Sequence, residues 1–137
     1  FNMCGYAADP IPVVRIGYVG IGSRGSWAVT RILNIKEIEV RGLCDLREEA
    51  VKKNQETLKK FNKHPAKEYF GDEYAWKKLC EQEDIDLIYI ATPWKWHTPI
   101  AVYAMECGNA GSLLKHLNAP KNTVCNWRIA VMTFLRF

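Results

Sequence analysis

The sequence predicts an α/β protein with a doubly wound, mostly parallel sheet. Short apolar runs alternate about four times with amphipathic helical segments, and this alternation is typical of right-handed β-α-β crossovers. The run from Ile85 to Pro93 is almost unbroken, as expected of a strand in the middle of a parallel sheet. A glycine-rich loop directly after the first apolar run points to the same architecture, which is Rossmann-like.

Four segments are predicted to be strands, because they are β-branched or apolar and are bounded by turn residues. They are Pro12 to Gly20, Ile38 to Asp45, a short candidate in Lys67 to Gly71, and Ile85 to Pro93.

Between and after these strands, helical spacing of apolar residues predicts four helices within 23–35, 46–63, 72–84 and 98–108. Thr98 and Pro99 favour the start of the last helix, and Gly108 favours its end. The residues expected to face inward are Trp27, Ile32, Leu33, Ala50, Val51, Leu58, Phe61, Tyr74 or Ala75, Trp76 and Leu79.

Composition limits the functional classes. The net charge of +4 is spread through the chain, so no basic footprint for nucleic acid is predicted. No apolar run approaches the roughly 20 residues that cross a bilayer, and the first residues lack the pattern of a secretory signal. We therefore expect a cytoplasmic protein that binds neither nucleic acid nor membrane. Because the chain does not begin with Met, its natural start is expected to lie upstream.

The five cysteines are scattered and form no CxxC pair. This pattern indicates a reducing compartment and argues against a disulfide framework or a metal site. Cys44, Cys80 and Cys107 are expected to be buried structural thiols.

The glycine loop is the first candidate binding site. Gly20, Gly22 and Gly25 form G-x-G-x-x-G between the first strand and the first helix, which opens with Ser23 and Arg24. The first glycine permits a tight turn, the second lets the backbone approach a pyrophosphate, and the third lets helix and strand pack closely. Amides at the start of the helix would then receive the phosphate charge.

Asp45 follows the second strand at the spacing expected of an acid that binds an adenosine ribose. Its alternative role is to cap the helix that begins near Leu46. A carboxylate here repels a 2′-phosphate, so NAD is favoured over NADP. The nearby Arg47 weakens this preference, because a guanidinium can accept that phosphate.

A third motif, Thr92-Pro93-Trp94-Lys95-Trp96-His97, follows the central strand, where open α/β sheets bind ligands. Together with the motifs RIGYVGIGSRG and CDLREEA, it resembles the N-terminal half of the Gfo/Idh/MocA oxidoreductases from about Val13 to Gly108. The chain is most similar to the branch that contains the NAD-dependent glycosidases of glycoside hydrolase family 109.

The resemblance implies that Thr92, Pro93 and His97 line the nicotinamide-ribose side of the cofactor, with Trp94 and Trp96 shaping the wall. Packing of the two tryptophans onto the domain, and a capping or core role for His97, remain alternatives. Trp94 replaces the Asn that many other members carry after the Pro, which favours the glycosidase-like branch.

The resemblance also implies a chemistry. Family members move a hydride from a sugar carbon to NAD. In the glycosidase branch, the resulting ketone acidifies the neighbouring C–H, the leaving group is eliminated, water adds and the hydride returns. A dinucleotide-binding module without catalysis, and a Rossmann-like domain for another nucleotide such as S-adenosylmethionine, are the other interpretations.

Three regions are expected: an N-terminal extension over 1–12, a dinucleotide-binding domain over 13–108, and an atypical tail over 109–137. The family continues after the equivalent of Gly108 with an E-K-P or E-V-P motif and a second, mostly antiparallel sheet domain that supplies the sugar pocket and much of the oligomer interface. This chain has no Glu after Glu106. We therefore assign no catalytic residue, and we expect little activity from the chain alone.

The tail itself is expected to form a loop or a helical turn at the segment NAGSLLKHLNAPKN. For one chosen set of codons over residues 113–126, a two-base shift of the reading frame restores V-E-A-P, which resembles the family motif. A changed reading frame after Gly108 is thus a hypothesis, and sequencing of the encoding DNA tests it.

Overall fold

The computed structural model describes residues 12–109 and 112–114 of the chain. Its sheet has five parallel strands in the order β3-β2-β1-β4-β5. The strands are β1 (Val14–Val19), β2 (Ile38–Cys44), β3 (Lys67–Tyr69), β4 (Leu87–Ile90) and β5 (Ser112–Leu114). The predicted doubly wound, parallel sheet is confirmed.

The described helices connect the strands in sequence. They are α1 (Ser23–Ile32), α2 (Glu48–Lys60), α3 (Ala75–Cys80) and α4 (His97–Glu106), with a short 3-10 turn (Trp94–Trp96) directly before α4. The chain leaves β1 towards β2 and later returns past β1 to β4, so the strand order reverses at β1. None of the helices in the described ranges combines the length and the apolar character needed to cross a membrane.

The core lies on both faces of the sheet. One cluster joins β4 to α3 and α4 through residues such as Ile88, Leu79 and Ile100. The other joins β1 and β2 to α1 and α2, for example through Ile16 and Val51. Burial on both faces explains why β1 and β4 read as continuous apolar runs.

Several expectations about burial are wrong. Trp27 is 52% exposed, because its ring lies on the surface of α1 under the Arg31 guanidinium, 4.5 Å from the ring centroid. Phe61 follows the last residue of α2, so it leaves the helical phase of Val51 and Leu58 and is exposed. Of the alternatives Tyr74 and Ala75, Ala75 is the buried one, and Trp76 and Leu79 are buried as expected.

The cysteines divide in a similar way. Cys44 and Cys80 are buried as expected, but Cys107 is exposed because it comes after α4 has ended.

The segment after Gly108 also differs from expectation. Gly108 has φ +83° and ends α4, as predicted. The loop or helical turn expected next is wrong over Ser112–Leu114, which pairs with β4 as a fifth strand. The first eleven residues, residues 110–111 and residues 115–137 lie outside the described residues, and so does most of the predicted tail.

Arg15 and Asp86 form an ion pair at the amino ends of β1 and β4, on the side of the sheet opposite the strand carboxyl ends. Asp86, just before β4, accepts hydrogen bonds from the backbone N–H of Arg15 at 2.9 Å and from its guanidinium at 2.9 and 2.6 Å. The Arg15 guanidinium is the main reason that the pKa of Asp86 lies below its ordinary value of 3.8. Stabilisation by this carboxylate is therefore present above that value and is lost as the pH falls through the lower folded-state pKa.

We expect Asp86→Asn to lower the unfolding midpoint at pH 7 by a few degrees and to remove part of the acid-induced loss of stability below about pH 4. Thermal unfolding followed by circular dichroism between pH 2 and 7 measures both. Glu39→Gln is the matched control, since Glu39 pairs with Arg41 in a surface ion pair that should contribute little. Equal effects of the two substitutions would contradict the role given to Asp86.

Candidate functional site

A cleft of about 470 Å³ opens at the carboxyl ends of β1, β2 and β4. This is the point where the strand order reverses, and open α/β sheets bind ligands there. The three strand ends are joined by hydrogen bonds from Gly20 N to Cys44 O and from Ala91 N to Val19 O, both 2.8 Å. The volume is within the roughly 300–1,000 Å³ that is typical of small-molecule sites.

The predicted site residues are only partly brought together by this cleft. Its lining includes Gly20, Gly22, Asp45, Thr92, Pro93 and Trp96.

Five other predicted residues do not line it. Ser23 and Arg24 are exposed at the first turn of α1, and Trp94 is 51% exposed. Gly25 and His97 are buried.

The glycine loop places the start of α1 at the cleft. Gly20 has φ +82°, a conformation that glycine adopts readily. Gly22 caps α1 without a side-chain hydrogen bond, and the first turn contains no acidic residue. The N–H groups of that turn have no acceptor within the helix and carry the positive end of its dipole. This end of the cleft is therefore suited to a phosphate group.

Gly25 has a different role from Gly22. A Cβ atom at Gly25 would overlap the backbone carbonyl oxygen of Gly20, so the close packing of α1 onto β1 requires a glycine there. A Cβ atom at Gly22 would meet only the end of the Arg47 side chain, at 2.9 Å. The fold therefore requires a glycine at position 25. At position 22 a larger residue fits if the Arg47 side chain moves.

We accordingly expect Gly25→Ala to destabilise the fold by about 3 kcal/mol, within the range of backbone-strain effects, and Gly22→Ala to change stability little. A 3 kcal/mol loss corresponds to roughly 10 °C or more in the unfolding midpoint of a domain of this size. Thermal denaturation of both variants measures the difference. Similar midpoints for the two variants would show that Gly25 does not hold α1 against β1 as described.

Asp45 lies beside the glycine loop at the end of β2, with only 10% of its side chain exposed. Its Oδ1 accepts a hydrogen bond from the Arg47 backbone N–H at 3.0 Å, and the Arg47 Nε lies 3.5 Å from the same oxygen. Arg47 is mostly exposed and reaches over Gly22. A carboxylate and a guanidinium therefore share the rim next to the phosphate-binding end.

Asp45 does not cap α2 in the way considered from the sequence. The residue at the cap of α2 is Arg47, and no side-chain hydrogen bond closes that end. Asp45 instead stabilises the turn that follows β2, and its remaining acceptor capacity is available to the cleft.

Thr92 and His97 act together. The His97 Nε2 lies 2.7 Å from the Thr92 carbonyl oxygen. A carbonyl only accepts, so Nε2 carries the proton and donates. The buried imidazole thereby positions the loop after β4, which favours the core alternative for His97. Thr92 lines the cleft, and its hydroxyl is buried without a hydrogen-bond partner among the described residues.

Sequence reasoning missed several lining residues. Asp72 and Glu73 precede α3, Trp76 lies within it, and Lys95 forms an ion pair with Glu73 at 3.6 Å. Asp72, Glu73 and Trp76 carry no motif, and the pairing of β3 with β2 brings their segment to the cleft. Lys95 stands in the motif after β4 but was not among the predicted site residues. Burial raises the pKa of Cys44, another lining residue, to about 12. Its thiol therefore stays protonated at neutral pH and is not a nucleophile.

No family model matches the chain. Among curated proteins, glycosyl hydrolase family 109 protein 2 of Phocaeicola vulgatus is 41% identical over 128 residues, which are 93% of this chain and 30% of that protein. An alpha-N-acetylgalactosaminidase of Bacteroides fragilis is 40% identical over 107 residues, covering 78% of this chain and 25% of that protein. The chain thus spans less than a third of the curated relatives it matches.

The first alignment matches 93% of the chain, so it extends past Gly108.

Solved structures show the same fold. Apo scyllo-inositol dehydrogenase from Lactobacillus casei has a TM-score of 0.66 and 17% identity, covering 90% of this chain and 34% of that one. Myo-inositol dehydrogenase from the same organism, in complex with NAD(H) and myo-inositol, has a TM-score of 0.60 and 23% identity, covering 74% and 28%. These structures show the fold. The curated relatives confirm the resemblance of this chain to the glycoside hydrolase family 109 branch of the Gfo/Idh/MocA oxidoreductases.

Proposed function

We propose that the cleft binds NAD and that the chain is the NAD-binding domain of a sugar-active oxidoreductase of the Gfo/Idh/MocA type. One observation carries the proposal: the start of α1, Asp45 and Thr92 border a single cleft at the reversal of strand order. A dinucleotide offers a pyrophosphate, two riboses and two flat bases, and these groups match such a cleft.

The residues present fit the cofactor. Amides at Gly22, Ser23, Arg24 and Gly25 would hold the pyrophosphate, since no side chain caps this helix. Asp45 would accept hydrogen bonds from the adenosine ribose.

On the other wall, Thr92 would border the nicotinamide ribose. Pro93, Trp94 and Trp96 would bound the nicotinamide-ribose side, and His97 would act there by fixing Thr92. NAD supplies the hydride acceptor of the reaction when it is bound.

NAD is preferred over NADP in this proposal. The half-buried Asp45 carboxylate would face the ribose hydroxyl that carries the extra phosphate in NADP, and Asp72 and Glu73 add negative charge to the same cleft. The two cations that line the cleft, Arg47 and Lys95, are each paired with a carboxylate. NADP binding would require Arg47 to leave Asp45.

The reaction we propose is hydride transfer between a sugar carbon and NAD, with the sugar held by a second α+β domain of a longer protein. We place the dinucleotide-binding domain at 13–108, an extension at 1–12 and a separate tail at 109–137. We assign no catalytic residue within this chain, so we propose little activity for it alone. Association into a homo-oligomer and a cytoplasmic location belong to the same proposal.

A glycosidase that uses transient oxidation is the alternative activity, and the glycosyl hydrolase names of the relatives favour it. The two activities differ in what happens to the cofactor. Reduced nicotinamide accumulates in a dehydrogenase, whereas it is consumed again in the glycosidase. Absorbance at the reduced-nicotinamide band, followed in a longer protein that contains this domain, separates them.

Calorimetric titration of the chain tests the binding proposal itself. We expect saturable binding of NAD, weaker binding of NADP and none of S-adenosylmethionine. Absence of NAD binding at millimolar concentration from a folded chain would refute the proposal. NAD binding without any turnover by longer proteins would favour the non-catalytic module.

A further inference from the structure

Asn54 is a buried amide on α2 that contacts the glycine loop. It is fully buried, and its Nδ2 donates hydrogen bonds to Ala50 O at 2.8 Å and to Ile21 O at 3.2 Å. Both partners are carbonyl oxygens, which only accept, so the nitrogen of the amide must face them. The second bond joins segments 33 residues apart and reaches the residue between Gly20 and Gly22.

The contribution of this amide lies in the bonds that it donates. Its Oδ1 is buried and has no hydrogen-bond partner among the described residues. A buried acceptor without a partner is destabilising, so the oxygen does not explain an amide at this position. The bond to Ala50, one turn earlier on α2, holds the side chain in one direction. Asn54 therefore offers a fixed donor to the glycine loop.

The bond from Asn54 restricts the peptide group between Ile21 and Gly22. The peptide bonds of the described residues are all trans, and the C=O and N–H of a planar trans peptide point in opposite directions. The Ile21 carbonyl points to Asn54 on α2, so the Gly22 N–H points away from α2. Gly22 has no side chain to limit its φ, so an outside contact is needed to keep this peptide in one orientation.

We infer that Asn54 is a positioning residue for diphosphate binding. By holding the Ile21 carbonyl on the α2 side, it presents the Gly22 N–H to the cleft that Gly22 lines. A donor that is already oriented loses little entropy when it meets a phosphate oxygen. The inference rests on the proposed function and adds to it a residue that lies outside both the cleft lining and the glycine motif.

The variant Asn54→Ala removes the donor and leaves the glycine motif intact. We expect it to weaken the binding of ADP-ribose, which contains the diphosphate, about tenfold, and the binding of adenosine less than about twofold. Titrations of the full chain with both ligands, followed by NMR, measure the ratio of the two affinities. Equal weakening of both ligands, or no weakening, in a folded variant overturns the inference and leaves the NAD proposal standing.

Val51→Ala is the matched control for lost stability. Val51 is fully buried on the same helix, packs in the same core cluster as Ile21 and has no polar side-chain atom. Both variants should lower the unfolding midpoint, but Val51→Ala should keep the affinity ratio of the unaltered chain. An equally large change of the ratio in Val51→Ala overturns the inference, because a general loosening of α2 would then explain both results.

The unaltered chain supplies a second test if Asn54→Ala does not fold. A phosphate oxygen that accepts from the Gly22 N–H polarises the Ile21–Gly22 peptide and strengthens its carbonyl as an acceptor. We therefore expect the Asn54 Nδ2–H signals in the nitrogen-15 spectrum to move downfield with ADP-ribose and to stay in place with adenosine.

The outcomes of this second test separate the two proposals. Asn54 Nδ2–H signals that stay in place while ADP-ribose saturates the chain overturn the inference alone. Failure of both ADP-ribose and NAD to bind refutes the inference and the proposed function together.

Discussion

Gly22→Val is expected to weaken NAD binding at least about 100-fold, or about 2.7 kcal/mol, while the chain stays folded. The backbone of Gly22 lines the cleft at the start of α1. A branched side chain there would occupy the space that the pyrophosphate needs. Its first carbon would displace only the flexible end of Arg47, so the fold should accept it. Calorimetric titration with NAD measures the effect, and circular dichroism checks the fold.

Two further measurements make this result specific. Gly22→Ala adds only the first carbon and should give an intermediate affinity. Gly22→Val should weaken the binding of adenosine, which lacks the pyrophosphate, much less than it weakens the binding of NAD. Full NAD affinity in a folded Gly22→Val variant would remove the glycine loop from the binding site.

Asp45→Ala is expected to reduce NAD affinity by roughly 10- to 50-fold, the range for a hydrogen bond that involves a charged group. The effect on NADP should be smaller, about threefold at most, because the substitution also releases the Arg47 guanidinium that Asp45 now holds. The ratio of the two dissociation constants, measured at one ionic strength, reports this change.

The appropriate control is Asp72→Ala. Asp72 also lines the cleft, but its Oδ1 accepts a hydrogen bond from the Tyr74 backbone N–H. Because Asp72 contributes charge to the cleft but no contact with the ribose, Asp72→Ala should shift the preference between NAD and NADP much less than Asp45→Ala does. The double variant Asp45→Ala, Arg47→Ala should lose the tolerance for NADP. An equal loss for both cofactors in Asp45→Ala would contradict the role of Asp45 at the ribose.

Much of the fold follows from the sequence because β1 and β4 are buried on both faces. Ile16, Tyr18, Ile88 and Ile90 are nearly inaccessible to solvent, so the inner positions of these strands favour apolar or aromatic residues. The G-x-G-x-x-G loop is equally visible, since Gly20 and Gly25 are required by backbone geometry. These features depend on the residue types within one short segment, so they can be predicted from the sequence of that segment alone.

Features that depend on distant partners could not be predicted. The strand at Ser112–Leu114 has no apolar periodicity of its own and forms through pairing with β4. Asn54 is fully buried on α2, because its Nδ2 donates to Ala50 O at 2.8 Å and to Ile21 O at 3.2 Å. Because α2 is rich in charged residues, the sequence gives no indication that the polar Asn54 is buried.

The candidate site shows the same division. Gly20, Gly22, Asp45 and Thr92 stand in recognisable motifs and do line one cleft. Trp76 reads in the sequence as an ordinary inward-facing residue, and the geometry that makes it a cleft residue comes from the tie between Leu46 and Gly71. His97 stands in the motif, yet the structure gives it a positioning contact with Thr92.

The central claim is that the first-turn amides of α1 hold a diphosphate. Backbone amide signals of Gly22 to Gly25 in the nitrogen-15 spectrum, recorded as the chain is titrated with ADP-ribose, test it most directly. We expect the signals of these amides to shift further than those of α2. The shifts should saturate with the same dissociation constant as the shift of the Asp45 amide signal. Saturable binding that leaves the Gly22 to Gly25 amides in place would contradict the account.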